Sequence, residues 1–296
     1  MEEKLNQATC IIQGNTANNL LITVYFITCI GGTTGIALMI FLISGANRLS
    51  VTTTSVINLL VAHGIFILSV PFRIVYYFHN KWTYGPIFCK VVSAMIHIHI
   101  YISFIFYVIM LTMRYVAFFK QKDSISFYRT FHPILISIVV WFLICVIFLP
   151  LVFTQYGSNA NFNQTECFHF QTELQNSAVK IMNYILITGV ILVVCLLLAV
   201  QIFIIVKVLK NLQRPVLAHQ EIWVQLKSLC FILVILICYL PFHIFRIYYM
   251  QHAKECYYYN EIVLSITALS CLDFLLFAVT RFYKKRICCF AFLTGI

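Results

Sequence analysis

The chain has 296 residues, of which 62% are hydrophobic and 10% charged, with a formal net charge of +11 and a mean hydropathy of +0.93. A soluble domain carries about 25% charged residues to keep its surface wet, so this composition excludes a wholly aqueous surface and calls for lipid as a second solvent. The positive charge raises nucleic acid as a partner, but Lys and Arg also collect on the cytoplasmic side of membrane proteins, and their positions decide between the two.

A helix needs roughly 20 apolar residues to cross the hydrocarbon core. Seven runs meet that length, at about 19–43, 53–78, 88–118, 132–154, 180–207, 224–250 and 258–280. The expected fold is an all-α membrane protein: one seven-transmembrane-helix bundle, with residues 1–18 as an extracellular tail and 281–296 as a cytoplasmic tail. The start, Met1-Glu2-Glu3-Lys4, lacks the basic region and cleavage site of a signal peptide, so the first run is expected to act as its own insertion signal. No polar stretch is long enough to fold separately, and no repeat is evident.

Loop charge sets the expected direction. With the N-terminus outside, the cytoplasmic side holds Arg48, Arg114, Lys120, Lys122, Arg129, Lys207, Lys210, Arg214, Lys227, Arg281, Lys284, Lys285 and Arg286, leaving seven of the 20 basic residues outside. This asymmetry predicts a multi-pass plasma-membrane protein with its N-terminus extracellular, and it explains the net charge without nucleic acid. The sequon Asn163-Gln164-Thr165 falls in the expected outer loop between runs four and five. Of twelve cysteines, Cys10, Cys89, Cys167 and Cys256 fall on the outer side, where disulfides persist. Four cysteines allow three pairings, and the residues alone leave them open. After the last run, Arg281-Phe282-Tyr283-Lys284-Lys285-Arg286-Ile287-Cys288-Cys289-Phe290 reads as a short basic amphipathic helix against lipid, with Cys288 and Cys289 as palmitoylation candidates.

Particular residues narrow the function. Run two carries Asn58-Leu59-Leu60-Val61-Ala62-His63 and Pro71-Phe72-Arg73; the next loop has Trp82-Thr83-Tyr84-Gly85 before Cys89. Run three ends in Met113-Arg114-Tyr115, and run four holds Trp141 and Pro150. Run six reads Cys238-Tyr239-Leu240-Pro241-Phe242-His243, and run seven Leu272-Asp273-Phe274-Leu275-Leu276-Phe277. In this order the set resembles the rhodopsin-like (class A) G-protein-coupled receptors, and Pro71-Phe72-Arg73 with His243 and Arg246 resembles their nucleotide and lipid-acid branch. The resemblance implies a Cys89–Cys167 disulfide, and in some members a second, Cys10–Cys256. It also implies a heterotrimeric G protein as partner. Departures are equally plain: Ile36, His63, Met113, Tyr239, Phe274 and Phe277 stand where the family has Asn, Asp, an acid, Trp, Pro and Tyr. They put sodium regulation and the usual switch mechanics in doubt.

Three groups are candidate sites. By resemblance, Arg114 and Tyr115 face the G protein, although a snorkelling Arg would need no such role. Glu221 lies 20 residues before Pro241, about 30 Å along a helix, and is the expected resting tether for Arg114. His63, His99, Ser103 and Asp273 form an expected interior network, read either as a satisfied structural cluster or as a proton-linked switch, since free His titrates near pH 6.5. The match to a zinc ligand set is loose, and neither metal nor cofactor is expected. Arg73, His97, Tyr101, Tyr239, His243, Arg246 and Tyr259 are expected to line a vestibule for an extracellular ligand of anionic character, which Glu261 dilutes. A transporter or proton pathway through His63, His99 and Asp273 is the competing function, but no inverted repeat or pair of broken helices supports it. No motif presents a nucleophile–base pair, so no enzyme is expected. The tail after residue 281 has one serine or threonine, Thr294, so phospho-dependent arrestin recruitment is expected to be weak, with Ser124, Ser126 and Thr130 as the other candidates.

Overall fold

A computed structural model describes residues 10, 12–44, 51–119, 132–154, 166–168, 176–210, 220–253 and 255–278, with the side chains of 132–133, 147–154 and 220–224 left aside. The calls on Asn163, Cys288, Cys289, the amphipathic segment and the phosphorylation candidates lie outside these residues.

Among the described residues seven helices follow one another: α1 Gly14–Ser44, α2 Val51–His79, α3 Pro86–Phe119, α4 His132–Thr154, α5 Ser177–Lys210, α6 from Gln220 to Tyr249 and α7 from Tyr257 to residue 278. Six are long and apolar enough to cross a membrane, and a shorter apolar stretch, Ile134–Val146, lies in α4. At 34 residues each, α3 and α5 extend about 50 Å, well beyond the hydrocarbon core. Large apolar side chains point outward, among them Phe26, Phe41, Leu68, Phe142 and Leu192. On a soluble surface they would be a liability; in lipid they are the solvated face. Helix α1 begins five residues before its apolar run, because Asn18 bonds across to Asn80 (2.5 Å) and anchors the polar first turn.

Helix α3 is central, touching α2, α4, α5 and α6, while α1 packs between α2 and α7. Small residues permit that last contact. A Cβ on Gly32 would stand 2.6 Å from Ile67 Cδ1 and 3.2 Å from Cys271 Cβ, so only glycine lets α1 approach both neighbours, the small-residue logic of membrane helices. The Asn58 amide binds α2 to α4, accepting from Trp141 Nε1 (2.8 Å) and donating to Ser137 Oγ (2.7 Å).

Two helices depart from α geometry where their chemistry requires it. Pro241 has no N–H and its ring crowds the carbonyl one turn back; α6 widens into a π-turn over Ile235–Tyr239, with the Leu240 N–H reaching Ile235 O. Helix α7 has Phe274 where a proline would break it, yet Leu269–Leu272 form a 3₁₀ turn. Thr267 and Ser270 donate their hydroxyls to carbonyls three residues back, at 2.6 and 2.8 Å, a local bonding that bends helices.

At one end, disulfides Cys10–Cys256 and Cys89–Cys167 tie the N-terminal segment to the start of α7 and the α4–α5 connection to α3. We call this the disulfide end.

Candidate functional site

The middle of the bundle holds a closed polar cluster. His63 (α2), His99 and Ser103 (α3) and Asp273 (α7) are all fully buried. His63 Nδ1 lies 2.9 Å from His99 Nε2. The other ring nitrogen of His63 faces Asp273 Oδ1 at 3.5 Å, too long for a good hydrogen bond. Asp273 Oδ2 accepts from Tyr107 (2.7 Å), and Cys271 Sγ sits 3.6 Å from His99 Nε2. Aromatic rings seal the cluster: Phe66 stacks on His99 with centroids 4.6 Å apart, and Phe274 leans on His63 at 5.1 Å. Tyr107 was legible in sequence, lying four residues after Ser103 and eight after His99 on one helical face. Cys271 was not, because its nearness to His99 depends on packing between helices 172 residues apart.

The vestibule residues do not form one group. Tyr239 is fully buried, donates to Ser270 Oγ (3.0 Å) and packs against Phe104 and Tyr107; the widened turn of α6 sets it in the interior cluster rather than beside Arg246. Arg73 is also buried, 1% exposed, which excludes snorkelling. Its guanidinium donates to Val92 O (3.2 Å) and Tyr25 Oη (3.4 Å), lies 3.9 Å from Glu261 Oε2 and stacks on the Phe168 ring at 4.3 Å. Tyr77 donates to the same Glu261 oxygen (2.7 Å). A buried charge is stable only when paired and hydrogen-bonded, and Arg73 has an internal counter-ion. Phe168, next to the Cys167 disulfide, takes a φ of +70° and packs against Tyr76, Tyr77 and Trp82.

Arg246 differs. It donates to the neutral Asn260 Oδ1 (3.2 Å) and lies 5.3 Å from the Tyr249 ring centroid. On α3, Tyr101 meets His243 with ring centroids 6.1 Å apart and His97 turns to the Ser93 carbonyl (3.0 Å); Tyr259, on α7, is half-buried.

At the end opposite the disulfides, Arg114 reaches from α3 to α6. It donates to Ser228 Oγ (3.2 Å) and covers the Phe231 ring at 4.6 Å. Tyr115 donates to Leu197 O of α5 (3.2 Å), and Gln201 of α5 bonds Gln225 of α6 (3.0 Å). The side chain of Glu221, the expected tether, lies outside those described. Ser228 and Phe231 carry no charge and gave no signal as partners of an arginine in the sequence.

The model of the 7 transmembrane receptor (rhodopsin family) matches residues 33–290. The chain belongs to that family. It is similar to the human Probable G-protein coupled receptor 141, with 47% identity over 276 residues covering 90% of each chain. It is 28% identical to the chimpanzee Probable G-protein coupled receptor 34, across 96% of this chain and 78% of the relative. The rat N-arachidonyl glycine receptor is 23% identical across 85% of this chain and 77% of its own. The protein is thus a multi-pass G-protein-coupled receptor, and the three constellations above are parts of a receptor bundle. In this receptor the middle of the bundle carries histidines and a thiol, and Arg114, at the end opposite the disulfides, rests on a hydroxyl and a ring.

Proposed function

We propose that this receptor sits in the plasma membrane with its N-terminus outside, binds an extracellular ligand at the disulfide end and activates a heterotrimeric G protein at the other. The observation that carries the reading is Arg114. It spans from α3 to α6 through Ser228 and Phe231, two neutral contacts, so a small parting of the helices frees a cation at the mouth of the bundle. With Met113 in place of an acid, the contacts of Arg114 among the described residues are lighter than an ion pair, and raised signalling without ligand is the expected outcome. Activation is then a shift between two helix packings, biased by ligand and G protein together. The direction rests on the loop-charge asymmetry, the Asn163 sequon and the cysteines at the disulfide end, with 1–296 acting as one receptor domain.

The ligand class follows from the two buried arginines. Arg73 lies directly against Glu261, whereas Arg246 meets that carboxylate only at longer range, through Asn260. An anionic head group therefore pairs with Arg246, with Tyr101, His243 and Tyr259 offering aromatic contact to the body of the ligand. A carboxylate-ended acyl chain, of the kind that names the N-arachidonyl glycine receptor, suits this arrangement. Proton conduction through His63, His99 and Asp273 is disfavoured by the aromatic rings that close the cluster.

The test is a panel of heterotrimer-dissociation assays in cells, one for each Gα class, with Arg114→Ala as control. Activation of at least one class by the wild type and its loss in Arg114→Ala are expected; equal silence of both in every class would overturn the reading.

A further inference from the structure

The polar cluster has more ligating power than its resting hydrogen bonds use. His63 Nδ1, His99 Nε2 and Cys271 Sγ, from α2, α3 and α7, lie within 4.8 Å of one another and are buried. We propose that these three side chains form a binding site for a thiophilic transition-metal ion, zinc(II) foremost, that clamps α2, α3 and α7 together.

Geometry comes first. Zinc holds imidazole nitrogen at about 2.0–2.1 Å and thiolate sulfur at about 2.3 Å in a tetrahedron, which separates two nitrogens by about 3.3 Å and nitrogen from sulfur by about 3.6 Å. The two ring nitrogens stand 2.9 Å apart and the sulfur 3.6 Å from His99 Nε2. The sulfur already stands at the right distance from His99, the imidazoles need to part by a few tenths of an ångström, and the third edge, from His63 Nδ1 to Cys271 Sγ, is held within 4.8 Å, so a closing movement of up to about 1 Å completes the triangle.

The surroundings are equally suited. A metal-bound histidine usually gives its other N–H to a carboxylate, which fixes its tautomer and raises its basicity. His63 turns Nδ1 toward the three-donor centre and Nε2 toward Asp273 Oδ1, while Tyr107 holds the second carboxylate oxygen. With metal on Nδ1, the proton of His63 is forced onto Nε2, where Asp273 draws in to accept it. Without metal, one imidazole must donate to the other; if His63 Nδ1 is the donor, its Nε2 lone pair faces a carboxylate. Asp273 Oδ1 and His63 Nε2 are both without a hydrogen-bond partner among the described residues, and metal binding relieves both.

The donor set chooses the ion. Two imidazoles and a thiolate favour zinc, copper(I) or cobalt(II) over sodium, magnesium or calcium, which want oxygen. Binding releases the thiol proton, so it strengthens as pH rises through neutrality. Because the donors sit on three helices, the ion is a cross-brace, and it stabilises whichever packing keeps them together. The site does not depend on the coupling reading, and it is tested by binding alone.

The experiment uses the full receptor, purified through a tag that has no histidines and reconstituted in lipid nanodiscs. Cobalt(II) is titrated while thiolate-to-metal charge transfer is followed, and zinc displacement is then measured by equilibrium dialysis with elemental analysis. One equivalent with a thiolate band is expected. Cys271→Ser should abolish the band, His99→Ala should weaken binding at least tenfold, and Asp273→Asn should weaken it roughly 10–100-fold. Cys195→Ser, at an exposed thiol, should change nothing. The wild type should also gain thermal stability with zinc, and monodisperse Cys271→Ser should not. No stoichiometric binding by folded wild-type receptor, or binding that survives Cys271→Ser and His99→Ala intact, overturns the proposal.

Discussion

The Arg73–Glu261 pair gives the most demanding energetic prediction. The two charges lie 3.9 Å apart with side chains 1% and 5% exposed, on α2 and α7. At an effective dielectric of about 20, their attraction is about 4 kcal/mol. Glu261→Gln keeps an acceptor for Tyr77 but strands the guanidinium. Breaking one partner of a buried pair costs about 3–5 kcal/mol. Arg73 keeps Val92 O, Tyr25 and the Phe168 ring, so the lower end, about 3 kcal/mol, is expected. With about 2–4 °C of melting temperature per kcal/mol for a chain of this order, the loss is roughly 6–12 °C. Arg73→Met should cost a similar amount. The double variant should recover to within about 1 kcal/mol of wild type, because with both partners replaced no uncompensated charge is left buried. Thermal unfolding of detergent-purified receptor, followed by thiol-dye labelling of buried cysteines, reads all four corners of the cycle. A double variant as destabilised as the sum of the two singles would refute the coupling and leave Arg73 available to a ligand.

Three further outcomes follow from named contacts. Arg246→Ala should lower the potency of an anionic agonist by tenfold or more in a concentration–response assay, while the isosteric Asn260→Asp, which gives Arg246 an internal counter-ion, should also weaken it; unchanged potency in both would remove Arg246 from the ligand site. Tyr107→Phe removes the hydroxyl that donates to Asp273 and should cost about 1.5–3 kcal/mol, the range for a hydrogen bond to a charged group, seen as a lower melting temperature; an unaltered melt would contradict the cluster as drawn. Gly32→Leu drives a side chain into Ile67 and Cys271 and should cost about 1–3 kcal/mol of overpacking, read as reduced surface expression, whereas Gly189→Leu on α5, with open space around it, should be tolerated.

The fold was legible because apolar length and loop charge are one-dimensional signals. His63, His99, Ser103 and Asp273 were noted together from the α3 face and the family order, and the described contacts join His63 to His99 and to Asp273. What escaped was chemistry decided by contacts between helices. The nearness of Cys271 to His99 is set by packing between helices rather than by spacing along the chain. Tyr239 read as a vestibule residue because the π-turn ahead of Pro241 is not visible in a uniform 3.6-residue period. Arg73 and Glu261 were both noted, but their pairing depends on how α2 and α7 lie together. For Arg114, the serine hydroxyl and the phenyl ring that it touches escaped notice, and the expected partner Glu221 has its side chain outside those described.

The central claim is that this bundle transmits a signal to a G protein, and guanine-nucleotide exchange measures it most directly. The receptor is reconstituted in sealed proteoliposomes with purified heterotrimers of each Gα class, and uptake of a non-hydrolysable GTP analogue is followed beside the membrane current in the same vesicles. The account predicts exchange with at least one class, present without added ligand and lost in Arg114→Ala, with no current. Electrogenic flux that depends on His63, His99 or Asp273, with no exchange in any class, would contradict it.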